Sequence, residues 1–91
     1  MQKISCVVIT YNEEDNIKDC LESLKWTDEI VLADAFSTDR TVQIANGYTE
    51  KIFQRRWDGY SQQKNFGLSH ATNEWVLFVD AYERASKELA S

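Results

Sequence analysis

Proline is absent from this chain of 91 residues, and glycine occurs only at Gly47, Gly59 and Gly67. The dinucleotide-binding fingerprint and the Walker phosphate loop both need clustered glycines, so the two commonest nucleotide loops are excluded. Cysteine is limited to Cys6 and Cys20, too few for a disulfide scaffold or a zinc site. Cys6 lies in a β-branched run and Cys20 on an apolar helix face, so both read as small buried residues. The longest apolar runs are about five residues, against the roughly 20 that span a bilayer. Basic residues are also scarce, with 10 Lys and Arg against 15 Asp and Glu and a net charge of −5. That sign argues against a protein that tracks nucleic-acid phosphates. Lys3 is the only early basic residue and no apolar stretch of signal length follows it, so a cytoplasmic protein is expected.

What is present is globular. Hydrophobic residues make up 43% and charged residues 27%, and a chain of this size folds as one small domain, here 1–91. Ile4 to Thr10 is a continuous β-branched run, the pattern of a strand buried on both faces. Asn12 then offers an N-cap, followed by Glu13, Glu14 and Asp15 in a first turn. Ile17, Cys20, Leu21 and Leu24 recur at the spacing of a one-sided helix. Glu29 to Asp34 reads as a second buried strand, and Thr41 to Ala45 as a short helix ended by Asn46-Gly47. Tyr48 to Gln54 reads as a third, more polar strand, Tyr60 to Ala71 as a helix, and Trp75 to Val79 as the most hydrophobic strand. Glu83 to Ala90 predicts a terminal helix.

This alternation predicts an α/β fold of three layers, with a four-stranded parallel sheet and helices on both faces. We read the strand order as 3-2-1-4, which leaves Trp75–Val79 at an edge. In a parallel sheet, ligands bind beyond the C-terminal ends of the strands. Thr10, Tyr11, Asn12 and Glu13 follow strand one, Asp34, Ser37, Thr38 and Asp39 follow strand two, and Asp80 follows strand four. An aromatic and two carboxylates on one rim suit a base, its ribose and a metal-bound diphosphate, because carboxylates repel phosphate unless a divalent cation bridges them. The same residue types also serve as caps and turns: Asn12 and Thr38 read as caps and Asp39 as a first-turn carboxylate. Lys64, Arg55 and Arg56 read equally as solvated charges, His70 as a residue at a helix end, and Trp26, Trp57 and Trp75 as packing.

Four segments together resemble family 2 glycosyltransferases of the GT-A fold. Val8-Ile9-Thr10-Tyr11-Asn12-Glu13-Glu14 is similar to the opening motif, and Asp34-Ala35-Phe36-Ser37-Thr38-Asp39-Arg40-Thr41 to the second. Gln63-Lys64-Asn65-Phe66-Gly67-Leu68 and Trp75 to Asp80 are similar to the third and fourth. The subgroup most resembled adds sugars to the bacterial lipopolysaccharide core. The resemblance implies a Rossmann-like half of a GT-A fold that binds a nucleotide-sugar, of uridine type, for transfer with inversion. It implies Tyr11 against the nucleobase with Thr10 beside it, Glu13 in the same substrate site, and Asp34 bonded to base or ribose. It further implies Lys64 near the phosphates or base, and Asp80 near the ribose and a Mn or Mg ion.

Two departures qualify those expectations. The family's Asp-X-Asp motif stands here as Asp80-Ala81-Tyr82, and a neutral phenol is a poor ligand for a hard cation. The chain stops at Ser91, whereas the resemblance implies a further acceptor-binding half that supplies the general base. Donor binding without transfer is therefore expected of these residues alone. The other reading is a non-enzymatic, engineered or degenerate α/β scaffold that self-associates. On either reading Trp75–Val79 is expected to pair with its own copy across a two-fold axis into a homodimer.

Overall fold

The computed structural model describes residues 2–81. The helix expected over Glu83–Ala90 and the departure at Tyr82 lie outside the described residues. Seven elements alternate along the chain: β1 Ile4–Thr10, α1 Ile17–Glu22, β2 Glu29–Asp34, α2 Thr41–Ala45, β3 Ile52–Gln54, α3 Tyr60–Leu68 and β4 Trp75–Asp80. The strands form one parallel sheet in the order β3-β2-β1-β4, as the sequence pattern predicts.

β1 lies between β2 and β4, with Val7 opposite both Val31 and Phe78. It is buried from Ser5 to Thr10, which is why its sequence runs apolar without alternation. Successive side chains still divide between the two faces. Cys6 and Val8 join Ile17, Cys20, Leu21 and Leu24 of the α1 region, Ala45 of α2 and Leu32 of β2 in one core cluster. Burying one such aliphatic side chain contributes about 2 kcal/mol. Both cysteines are free thiols in this core, and burial pushes the Cys6 thiol up to about 12.

Val7 faces the other way, toward α3. A Cβ built on Gly67 would lie 2.3 Å from Val7 Cγ1 and 3.4 Å from the Ala33 Cβ. The glycine is thus the point where α3 approaches the backbone layer of the sheet, and it places the helix that carries Tyr60 and Lys64.

Local hydrogen bonding explains where the elements depart from the sequence pattern. β3 is shorter than predicted because the amides of Tyr48 and Thr49 turn back to the Ala45 carbonyl at 2.9 and 3.1 Å. α3 ends early because His70 and Ala71 donate three residues back, to Gly67 and Leu68, tightening the last turn. His70 then stacks on Phe53 with ring centroids 3.7 Å apart. Asn12 does not cap α1, which starts at Ile17 after a turn closed on the Glu13 carbonyl. The three tryptophans are not interior: Trp26, Trp57 and Trp75 are 59, 48 and 52% exposed, because they occupy two connections and an edge strand.

At the N-terminal ends of the strands, Glu29 gathers three segments. Its carboxylate accepts from Ser5 Oγ at 2.6 Å, from the Thr72 amide at 2.9 Å and from Thr72 Oγ1 at 2.8 Å, and it pairs with Lys51 Nζ. Burial alone raises its pKa, but the bonds from Lys51, Ser5 and Thr72 outweigh burial and hold it at about 2, below the ordinary 4.5.

Two predictions follow from these packing constraints. Gly67→Ala lowers stability by about 1–3 kcal/mol, the usual range for an overpacked site. Urea denaturation reads the loss, and adding Val7→Ala restores part of it; no change in midpoint for the single variant refutes the close approach. For Glu29, a pKa lowered in the fold means stability that is complete above pH 4.5 and is lost as pH falls toward about 2. Glu29→Gln flattens this acid dependence of the unfolding free energy, and parallel curves for the two proteins refute it.

Candidate functional site

The C-terminal ends of the strands open onto a cleft of about 540 Å³. Thr10, Tyr11 and Glu13 line it from the end of β1 and the loop beyond, and Asp80 from the end of β4. Arg56 and Trp57 line it from the β3–α3 connection. Tyr11 is 56% exposed, leaving its ring open to a partner.

The cleft's wall is built on Asp34. This side chain has no solvent exposure, and its carboxylate accepts four bonds. Thr10 Oγ1 and Ser37 Oγ donate to Oδ1, each at 2.6 Å, while the Ser37 amide and Gln54 Nε2 donate to Oδ2 at 2.8 and 3.1 Å. A carboxylate offers about four acceptor sites, so Asp34 is occupied by the protein itself and does not line the cleft. The structure thus places it behind Thr10, with its carboxylate bonded to the end of β1, to the loop after β2 and to β3.

From Asp34 the bonding spreads to both loops. Ser37 Oγ accepts from the Asn12 amide at 2.8 Å, and Asn12 Oδ1 accepts from the Thr38 amide at 2.7 Å. The Glu13 amide donates to Thr41 Oγ1 at 2.8 Å and the Glu14 amide to Asp39 Oδ2 at 3.1 Å. Asp39 Oδ1 also accepts the Thr41 amide at 2.9 Å, so Asp39 rather than Thr38 serves the first amide of α2. Burial raises the Asp39 pKa, and bonds from Thr41 and Glu14 more than reverse it. Asn12 at φ 51° and Phe36 at φ 60° adopt left-handed backbone. Asparagine tolerates it, whereas for a phenylalanine it costs on the order of 1–3 kcal/mol.

Lys64 stands beside the cleft in a smaller recess of about 90 Å³, which shares Ile9 and Asp80 with the main one. Its ammonium lies 5.4 Å from the Tyr60 ring centre and 5.7 Å from that of Phe78. The Tyr60 hydroxyl donates to Asp80 Oδ2, and its ring meets Trp57 edge-on at 5.5 Å. The Gln63 side chain, fully buried, donates to the Arg55 carbonyl at 3.2 Å and anchors this connection. Gly59 at φ 103° makes the turn into α3, a conformation that excludes most side chains.

Of the residues singled out in the sequence, Thr10, Tyr11, Glu13 and Asp80 come together, Lys64 lies adjacent and Asp34 lies behind. In the sequence Arg56 reads as a phosphate contact or a solvated charge and Trp57 as packing, and Tyr60 carries no site reading. Their signal was their position just past the third strand, on the same rim. For a divalent cation, no group of three His, Cys, Asp or Glu side chains converges among the described residues. Asp80 suits a cation of magnesium type, which takes one or two carboxylates and completes its shell with substrate phosphates and water.

Residues 5–88 match the profile of glycosyl transferase family 2. The chain is 46% identical over 90 residues to an uncharacterized glycosyltransferase of Rickettsia typhi, covering 98% of this chain and 31% of that protein. It is 35% identical over 91 residues to the lipopolysaccharide core biosynthesis glycosyltransferase LpsC of Rhizobium meliloti, covering 94% and 34%. The chain thus spans about a third of the length of the curated relatives it matches. Among solved structures, Staphylococcus aureus TarS 1–349 superposes with a TM-score of 0.70 at 31% identity, covering 97% of this chain and 31% of that one. Glucosyl-3-phosphoglycerate synthase from Mycobacterium tuberculosis, solved with Mn2+, UDP and glucosyl-3-phosphoglycerate, superposes at 0.77 over 88% of this chain and 33% of that one. At 22% identity the latter is a likeness of fold. The profile match and these relatives establish that this chain belongs to glycosyl transferase family 2.

Proposed function

We propose that these residues form the nucleotide-sugar-binding portion of an inverting glycosyltransferase, with a uridine-linked donor. The observation that carries the reading is the open Tyr11 ring and the Asp80 carboxylate in one cleft at the C-terminal rim, in a chain of this family. Tyr11 stacks on the base, with Thr10 and Glu13 beside it. Asp34 orients Thr10 and the second loop from behind, and Asp80 faces the ribose and a Mn or Mg ion. Lys64 and Arg56 supply positive charge for the diphosphate. A metal would contribute charge neutralisation between Asp80 and phosphate oxygens. A fold neighbour solved with UDP and Mn2+ supports this choice of ligand.

Our reading assigns donor binding, and not transfer, to these 91 residues. For the whole protein it proposes a lipopolysaccharide-core acceptor, which the likeness to LpsC supports. It also proposes a cytoplasmic location, which two free thiols suit. Among the described residues no helix is long and apolar enough to cross a membrane.

A second reading, compatible with the first, is a homodimer through β4. Its outer edge is unpaired among the described residues, and Trp75 and Phe78 are exposed on a run without charge from Trp75 to Val79. Proteins cover or pair such edges. Antiparallel pairing with a second copy gives a closed, isologous interface.

UDP with magnesium, titrated at millimolar concentration and followed by NMR, shifts resonances of Tyr11, Glu13 and Asp80. Tyr11→Ala weakens binding about tenfold, since base stacking contributes about 1–3 kcal/mol. Unmoved resonances at these residues overturn the donor reading. For the dimer, sedimentation at micromolar concentration gives twice the chain mass, and Val76→Pro gives a monomer because it removes a donor from the outer edge, the amides at odd positions of β4 facing β1 as that of Ala81 does toward the Ile9 carbonyl. A monomer in the unmodified protein overturns that proposal.

A further inference from the structure

One side chain touches three residues of the cleft and its side recess from three directions. Tyr60 opens α3. Its hydroxyl donates to Asp80 Oδ2, its ring carries the Lys64 ammonium at 5.4 Å, and its edge contact with Trp57 at 5.5 Å and 83° supports the opposite wall. Asp80 ends β4 and Lys64 stands one turn along α3, so no backbone element holds their side chains at a fixed separation. We propose that Tyr60 is the positioning residue of this site: it holds the Asp80 carboxylate and the Lys64 ammonium as a spaced pair that receives the ribose and diphosphate of the donor.

The chemistry of the contacts supports the role. A phenol hydroxyl donating to a carboxylate makes a charge-assisted bond, stronger and more directional than a neutral one. It removes the freedom of Asp80 to rotate, and so the entropy it would lose on meeting a ligand. The aromatic face attracts an ammonium without neutralising it. A carboxylate in place of Tyr60 would pair with Lys64 and withdraw it from phosphate. The phenol therefore holds a cation and an anion near each other while leaving the charge of both intact. Tyr60 is itself 45% exposed, more than a residue kept only for packing would be.

The inference rests on the nucleotide-sugar reading of the cleft, and the test separates the two. Tyr60→Phe keeps the ring and removes the hydroxyl, and Tyr60→Leu removes both. In calorimetric titration with UDP, Tyr60→Phe weakens manganese-supported binding about tenfold, the low end for a group that orients a metal-bound carboxylate, and leaves binding in EDTA within twofold. Tyr60→Leu weakens both, because Lys64 loses its seat. Without any ligand, the Hα–Hβ couplings of Asp80 report one rotamer in the unmodified protein and an average in Tyr60→Phe. A purely structural tyrosine moves neither the manganese split nor these couplings. Wild-type UDP affinity in both variants, alongside weakened binding by Tyr11→Ala, overturns the role of Tyr60 and leaves the donor site standing. No UDP binding by the unmodified protein overturns the donor reading and the positioning role with it. Asp80 couplings that are unchanged in Tyr60→Phe overturn the positioning of Asp80 whatever UDP does.

Discussion

The Asp34 carboxylate has no access to solvent, a position that costs a charged group several kcal/mol unless donors replace the lost water. Those donors come from the end of β1, from the loop after β2 and from the end of β3. Satisfying one charge therefore fixes three chain segments at once. The Asp34 carbonyl adds a fourth tie by accepting the Arg55 amide at 2.9 Å, which sets the start of the connection bearing Arg56 and Trp57. Ser37, held twice by Asp34, in turn accepts the Asn12 amide. The position of the Tyr11 loop is thus a consequence of a buried carboxylate on the neighbouring strand. The cleft is as rigid as that network, which is what a site needs if it is to receive a ligand without reordering its own walls.

β2 carries a carboxylate at each end, and the two do opposite things to their rims. Glu29 closes the N-terminal rim: Lys51 neutralises it, and Ser5 and Thr72 bring β1 and the α3–β4 connection against it. Asp34 has no cationic partner among the described ion pairs and takes only neutral donors. At that rim the cations Arg56 and Lys64 stay on the open side, with Arg56 lining the cleft and Lys64 seated on aromatic rings. Both rims carry a cavity, of about 510 Å³ at the N-terminal ends and about 540 Å³ at the C-terminal ends. At the first, Glu29 and Lys51 are closed on each other, whereas the second is lined by Arg56 and the exposed Tyr11 ring.

Legibility in the sequence followed the range of the interactions. β1, β2, β4 and the stripe of α1 were readable because burial imposes residue types directly along the chain. Sheet order and the rim that gathers Tyr11, Asp34 and Asp80 followed from the strand–helix alternation. The errors arose where a residue's partner lies far along the sequence. Asn12 has the composition of a helix cap, but its side chain serves the Thr38 amide 26 residues on. Nor does the local sequence show that Gln54, 20 residues from Asp34, helps to seal its carboxylate. Tyr60 bonds to Asp80 across the same distance, and no local pattern announces such a pair. Trp57 reads as packing because aromatics usually pack, while its connection leaves the sheet on the side of the cleft.

The charges of the cleft bear on the ligand proposed for it. Glu13 and Asp80 present negative charge to the cavity, and Arg56 presents positive charge. A phosphate entering alone meets carboxylates at short range, where the repulsion is little screened by bulk ions. A cation entering alone finds no trio of ligating side chains among the described residues. Each is therefore a poor ligand by itself, and each supplies what the other lacks: the cation cancels the repulsion and the phosphate oxygens complete its shell. The open Tyr11 ring adds an apolar contact that neither inorganic ion can use. A ligand that joins an aromatic base, a diphosphate and a bound cation satisfies all of these features together, whereas any one of those parts satisfies only some of them.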